Sequence, residues 1–255
     1  MTGPSPAQGT LLLLRHGESI FNASSTFTGL LDVGLTPAGE RQLAVAAELI
    51  ARAGLRPDVI VSSPMLRARR TTELLVAHLG LEDVPVETTW RLAERDYGCL
   101  TGVPKAVAVA RHGEENFFTW RRTLHGRPPA ASPERRASWV DPAPLAERGP
   151  LEAGMGESLH DVVVRVRPLW ETSLRERLAD GARLFVVAHG NSLRALCAVM
   201  EDLTDPEVEE LNIPAGHPLV YAVDSAGRVH PRGGRYLDDD AAQVAAAKVA
   251  AEGGT

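Results

Sequence analysis

Aromatic side chains are scarce in this chain of 255 residues, at 5%, and there are two cysteines. Cys99 and Cys197 stand at no metal-ligand spacing and in different expected elements. That excludes a disulfide framework or a cysteine-built metal site and leaves two half-buried small side chains. No apolar run approaches the ~20 residues that cross a bilayer. The first nine residues gather Gly, Pro and Ser without the apolar length of a secretory signal, so residues 1–9 are expected as a disordered lead and the protein as cytoplasmic. A net charge of -6 supplies no basic face overall, which argues against nucleic acid and anionic membrane as partners. There is no internal repeat and no Gly-rich nucleotide-binding signature.

What remains is an ordinary globular composition, 44% hydrophobic, enough for one α/β domain with an insertion. Leu11 to Leu14 reads as a short buried strand that ends abruptly in Arg15-His16-Gly17. Residues from Ile20 to Val33 read as an ordered loop over the end of the sheet. Thr36-Pro37 opens a helix to about Ala53, with Leu43, Ala46, Ala47 and Ile50 as its apolar stripe. Asp58 to Ser62 is a second strand, and Ser63-Pro64 repeats the cap-and-proline start of a helix to about Leu79, with Arg67 in its first turn. A cation there opposes the helix dipole, which hints at use.

Val84 to Trp90 reads as a third strand that delivers Glu94 just past its end. Pro104 to Leu124 is helical but irregular and carries Lys105, Arg121 and Arg122. Gly126 to Gly156 lacks a sustained period and reads as a long surface loop, with Arg127, Arg135 and Arg136 solvated. An amphipathic helix follows, with Val162, Val163, Val166, Leu169, Trp170 and Leu174 on one face. Leu184 to Ala188 is a fourth strand, followed at once by His189-Gly190-Asn191-Ser192 and a helix through Met200. Leu219 to Val223 reads as a closing antiparallel strand. The alanine-rich segment from Asp240 to Glu252 reads as a weakly held terminal helix.

The expected architecture is a three-layer α/β/α sandwich with a mostly parallel central sheet, one antiparallel strand and a helical and loop insertion over about residues 99–156. In that scheme residues 10–238 form the domain and residues 239–255 a mobile C-terminal tail. Parallel strands place the four junctions, Arg15-His16, Arg67, Glu94 and His189, on one edge of the sheet, where open α/β sheets bind ligands. Arginines suit a phosphate, and adjacent guanidinium groups repel a metal cation, so no metal is expected. A phosphoryl group held there could be attacked by an imidazole. His16, between Arg15 and Gly17, is the candidate nucleophile. His189 would stabilise the transferring group, and Glu94 would serve as general acid and then base.

These residues resemble the histidine phosphatase superfamily and, within it, the cofactor-dependent phosphoglycerate mutases. The matching segments are Arg15-His16-Gly17-Glu18-Ser19 with Asn22, Phe27-Thr28-Gly29, Glu94-Arg95 with Tyr97-Gly98, Trp120-Arg121-Arg122, Ala188 to Leu196, and Leu211-Asn212-Ile213-Pro214. The resemblance implies that His16 is phosphorylated, that Arg15, Arg67 and His189 hold the transferring group, and that Glu94 moves the proton. It implies phosphate contacts at Asn22, Thr28, Gly29, Gly190 and Asn191. It also implies a clamp on the carboxylate and second phosphate of a glycerate at Tyr97, Lys105, Arg121 and Arg122.

The reaction so implied interconverts 3-phosphoglycerate and 2-phosphoglycerate, primed by 2,3-bisphosphoglycerate without a metal. The substrate is a small phosphorylated molecule, and the family is often dimeric or tetrameric. Departures from the mutase pattern are Asp96, Leu30-Leu31-Asp32 after Gly29, Ala143-Pro144 after Asp141-Pro142, and the phosphatase-like Gly154 to Leu159. The alternatives are a phosphohistidine phosphatase acting on a small metabolite and a non-catalytic phospho-ligand sensor. Keeping Lys105, Arg121 and Arg122 together favours the mutase, because a phosphatase of bulky esters needs no carboxylate clamp.

Overall fold

Four consecutive leucines, Leu11 to Leu14, are completely buried at the centre of the molecule. A parallel strand covered by helices on both faces reads as a continuous apolar run, and alternate residues point to opposite layers. Leu11 and Leu13 pack into one hydrophobic cluster and Leu12 and Leu14 into the other. Each such leucine contributes on the order of 1.5–3 kcal/mol by leaving water.

The computed structural model describes residues 9–139 and 149–251. The expected disordered lead at 1–9 is corrected at Gly9, which opens β1, and its other eight residues, the Asp141-Pro142-Ala143-Pro144 departure and the last four residues lie outside the described residues. The chain runs β1 (Gly9–Arg15), α1 (Ile20–Ala23), α2 (Pro37–Arg52), β2 (Val59–Ser62), α3 (Leu66–Leu79), β3 (Val86–Thr88), α4 (Lys105–Arg122) and α5 (Pro133–Ala137). It continues through α6 (Leu159–Leu169), a π-helical turn at Trp170–Leu174, α7 (Arg175–Ala179), β4 (Arg183–Ala188), α8 (Gly190–Glu201), α9 (Asp205–Glu210), β5 (Leu219–Val223), β6 (Val229–Tyr236) and α10 (Asp239–Ala251).

The strands form one sheet in the order β3-β2-β4-β1-β5-β6. β1 to β4 pair in parallel, while β5 is antiparallel to both β1 and β6. β5 is thus the one reversed strand. The register sets Arg15 beside Ala188, Ser62 beside Val187 and Ser62 beside Thr88, so the four parallel strands end level. α2 and α3 pack on one face through Leu43, Ala46, Ala47, Ile50, Ala68 and Leu75. α6 and α8 cover the other through Val162, Val166, Leu193 and Leu196. The neighbours β1 and β4 therefore send their helices to opposite faces. This is the switch point at which an open α/β sheet leaves a crevice.

Thr36 caps α2 as expected, its Oγ1 accepting from the Gly39 N–H at 3.0 Å with Pro37 in the first turn. α4 is irregular because Gly113 breaks it at φ 78°.

Several expectations are corrected. α3 begins at Leu66 rather than at Ser63-Pro64, and its N-cap Met65 makes no side-chain cap. The Ser63 hydroxyl instead lies 2.8 Å from Nε2 of His189. The expected loop after β1 includes α1, closed by a reciprocal Ser19–Asn22 capping box. β6 was not foreseen. Arg127, Arg135 and Arg136 are held rather than merely solvated: Arg127 by Asp161 at 2.7 Å, Arg135 by the Thr101 carbonyl at 2.9 Å and Arg136 by Glu152 at 3.0 Å. Both cysteines are free, and Cys197 is buried rather than half-buried. Among the described residues no helix is long and apolar enough to cross a membrane.

Candidate active site

At the level edge of the sheet a cavity of about 280 Å³ opens over the end of β1. Arg15, His16, Asn22, Thr28, Arg67, Glu94, Tyr97, Lys105 and Arg121 all line it. The lining holds five cations, Arg15, Arg67, Lys105, Arg121 and Lys248, against two carboxylates, Glu18 and Glu94. In a chain of net charge -6 this is a local concentration of positive charge suited to an anion with more than one charged group.

His16 is 2% exposed. Its Nδ1 lies 2.7 Å from the carbonyl oxygen of Gly17. A carbonyl only accepts, so Nδ1 carries the proton and donates, which leaves the Nε2 lone pair available. Burial, then Arg67, then Arg15 push the His16 imidazole well below its ordinary pKa. The ring is therefore neutral at physiological pH, the state a nucleophile requires. Gly17 follows because its Cβ would lie 2.5 Å from the Gly39 carbonyl oxygen at the start of α2.

Arg67 is 1% exposed, and its guanidinium donates to the Leu31 and Gly29 carbonyls at 2.9 and 3.2 Å. Burial lowers it to about 10, partly offset by Glu94 and Asp32, so it stays cationic at neutral pH. Arg15 NH1 donates to the Ile213 carbonyl at 2.9 Å. These backbone anchors fix both guanidinium groups before any ligand arrives, which reduces the ordering cost of binding.

Glu94 lies past β3 in irregular backbone, and its Oε1 accepts from the Arg95 N–H at 2.7 Å and from Asn191 Nδ2 at 3.0 Å. The Asn191 amide is oriented by Arg194, which donates to its Oδ1 at 3.1 Å, so Nδ2 faces Glu94 and the Tyr97 hydroxyl. His189 is fully buried behind His16, with ring centroids 5.0 Å apart in a T-shaped contact. Burial, Arg67, His16 and Arg15 push its pKa well down.

Five of the expected site residues stand outside the lining. His189, Gly190 and Asn191 sit in the layer behind it, Gly29 turns its carbonyl to Arg67, and Arg122 points to Asn212 Oδ1 at 3.1 Å and to the Glu209 carbonyl. Asp96, two residues after Glu94, also turns away. Its carboxylate accepts from the Gly98 and Gly156 N–H groups at 3.0 and 2.9 Å, and burial raises its pKa.

Sequence reasoning missed Gln42, Ala215 and His217 in the lining, whereas Ala245, Lys248 and Val249 reach it from the C-terminal tail, which by resemblance covers the site in the mutases. The signal for His217 was available: an antiparallel strand begins at the edge where parallel strands end, so the residues before β5 must abut the cavity. Phe27, Tyr97, Leu100, Val103 and Ala108 form a small satellite core beside it, and the Arg121 guanidinium lies 5.7 Å from the Phe27 ring centroid.

The sequence model described as Histidine phosphatase superfamily (branch 1) matches residues 11–229. A Clavibacter sepedonicus protein named 2,3-bisphosphoglycerate-dependent phosphoglycerate mutase is 43% identical over 96% of this chain and 97% of its own. Proteins of the same name from Thermobifida fusca and Mycobacterium tuberculosis are 41% and 44% identical, over 96% of this chain and 99% and 98% of theirs. Among solved structures, a mycobacterial glucosyl-3-phosphoglycerate phosphatase superposes with a TM-score of 0.62 at 28% identity, covering 84% of this chain and 92% of its own. Bacillus stearothermophilus YhfR gives 0.66 at 21% identity, covering 87% and 94%, a likeness of fold.

Proposed function

Because the chain belongs to the histidine phosphatase superfamily, we propose that it interconverts 3-phosphoglycerate and 2-phosphoglycerate through a phosphohistidine at His16. The observation that carries this reading is the neutral imidazole, its Nδ1 committed to the Gly17 carbonyl, at a cavity lined by five cations. Support for a mutase comes from relatives of that name at 43% identity, against 28% for the superposed phosphatase.

The cavity suits 2,3-bisphosphoglycerate by charge: Arg15 and Arg67 would take one phosphate, and Lys105 and Arg121 the remaining anionic groups. When bound, this molecule supplies the phosphoryl group that primes the enzyme. In the proposed transfer, the His16 Nε2 lone pair attacks phosphorus and the P–O ester bond breaks. The leaving oxygen takes a proton from the Glu94 carboxyl. In the return step a neighbouring hydroxyl attacks phosphorus and passes its proton to the Glu94 carboxylate as the N–P bond breaks. Arg15, Arg67 and His189 stabilise charge on the transferring oxygens. Asn22 and Thr28, at the cavity wall, contact the phosphate. Gly29 acts through Arg67, and Asn191 through Glu94.

The test supplies 3-phosphoglycerate with a trace of 2,3-bisphosphoglycerate. 2-Phosphoglycerate should form with little free phosphate, and acid-labile label should appear on the wild type and be lost in His16→Ala. Fast phosphate release with no isomer would move the enzyme to the phosphatase reading. Undiminished label on His16→Ala would remove the nucleophile.

A further inference from the structure

Among the buried cations that take no part in the scheme above, one holds the backbone of Glu94. Arg165, on α6, has a side chain only 6% exposed. Its guanidinium donates to the carbonyls of Arg91 at 2.6 Å, Ala93 at 2.9 Å and Glu94 at 3.1 Å. It also pairs with Glu157, Nε to Oε1 at 2.9 Å and NH2 to Oε2 at 3.3 Å. Arg91 returns the contact by donating to the Arg165 carbonyl at 2.9 Å. Glu157 extends the grip, since its Oε2 accepts from the Asp96 N–H at 2.9 Å and its own N–H donates to the Asp96 carbonyl at 2.8 Å.

The segment so held carries Glu94, and it lies between two short 3₁₀ turns, Trp90–Leu92 and Gly98–Leu100, with no strand ladder to fix it. Its carbonyls would otherwise be buried acceptors without partners. Arginine suits the task because one planar fork can serve three carbonyls and a carboxylate at once, whereas lysine presents a single ammonium. The Glu94 carboxylate has its own contacts, the Arg95 N–H and Asn191 Nδ2, and one of these belongs to the same segment.

We propose that Arg165 is a positioning residue for proton transfer: it fixes the backbone from which Glu94 reaches the leaving and attacking oxygens, touching neither substrate nor His16 itself. The inference rests on the assignment of Glu94 as acid and base. A displacement of about 1 Å at a reacting group costs on the order of a hundredfold in rate, so the effect should be large and confined to steps that need the proton.

The experiment compares wild type, Arg165→Lys, Glu94→Gln and the double variant by single-turnover phosphorylation of His16 from two donors. 2,3-Bisphosphoglycerate has an alkyl leaving group that must be protonated. p-Nitrophenyl phosphate releases a stabilised phenolate that leaves without a proton. Arg165→Lys should slow phosphorylation from the alkyl ester about 10- to 100-fold with KM changed less than about threefold, and the aryl ester by less than about threefold. In the double variant the arginine change should add nothing to Glu94→Gln on the alkyl ester. Equal losses on both donors, or a double variant slower by the product of the single losses, would overturn the proposal.

Glu157→Gln, which keeps the three carbonyl contacts, supplies a milder second variant and should show the same donor selectivity at smaller amplitude; a donor-independent loss there counts against it as well. If the wild type takes no label from either donor, the site assignment falls and this inference with it. If the wild type is labelled but releases phosphate to water, the mutase reading falls and the donor comparison still decides the role of Arg165.

Discussion

Acidification from pH 7.5 to 5.5 should weaken the fold through two side chains, His16 and His189. Both are buried, at 2% and 0% exposure, and burial with the nearby Arg67 and Arg15 pushes both well below the ordinary 6.5. In the unfolded chain each imidazole takes up a proton near pH 6.5, while in the native protein it does not. The unfolded state thus binds more protons below that pH, and stability falls as pH falls. Each histidine removes up to about 1.4 kcal/mol per pH unit, which integrates to at most about 1.4 kcal/mol between pH 7.5 and 5.5, or at most about 2.7 kcal/mol for the pair. Above pH 7.5 the effect is absent.

Urea unfolding of wild type and His16→Asn at the two pH values, in buffer free of phosphate and sulfate, isolates it. Other histidines and the carboxylates are common to both proteins and cancel in the comparison. The variant, with one buried imidazole left, should lose up to about 1.4 kcal/mol less than the wild type over this interval. An identical pH loss in the two proteins would refute the claim that His16 is held neutral.

Lys105→Ala should raise KM for 3-phosphoglycerate about tenfold, the worth of one charge-assisted contact of about 1.4 kcal/mol, while p-nitrophenyl phosphate hydrolysis changes less than about twofold. A parallel loss on both substrates would remove Lys105 from the carboxylate clamp. Asp96→Ala leaves the N–H groups of Gly98 and Gly156 without their acceptor, at about 1–3 kcal/mol each. Urea titration should therefore show about 2–6 kcal/mol of destabilisation, and a loss below about 0.5 kcal/mol would contradict the structural role given to that carboxylate.

The parallel core and its four junctions were legible because the apolar strands β1 and β4 end abruptly at histidine-bearing turns, β2 and β3 are followed within six residues by Arg67 and Glu94, and parallel pairing makes those junctions neighbours. Thr36-Pro37 was legible for a local reason, a capping oxygen followed by a pre-set φ. Ser63-Pro64 misled because tertiary structure took the cap away: the Ser63 hydroxyl is engaged with His189, and α3 starts three residues later. β6 was hidden because an outermost strand needs little apolar patterning, and Val229–Tyr236 contains Pro231, Gly233 and Gly234 and is largely exposed. Arg165 left a trace that went unread. It stands among Val162, Val163 and Val166 on the buried face of α6, and a charge on an apolar stripe needs an acceptor. Lys248 gave no such trace, since an exposed lysine in an alanine-rich helix looks the same whether or not it faces a cavity.

The central place of β1 in the sheet also governs the order in which the molecule can be assembled. Its two neighbours are β4, beginning at Arg183, and β5, beginning at Leu219. A ribosome that has finished the four leucines must add some 170 further residues before the first of those partners exists, on the order of 10–30 s at usual elongation rates. During that interval the strand destined to be most deeply buried has no edge to join, whereas α2, β2 and α3 can already associate among themselves. Sheet closure is consequently a late, long-range event, the kind of pairing that makes folding slow. The leucines that end in Arg15 and His16 are the last part of the early chain to find their place, and the cavity takes shape only when they do.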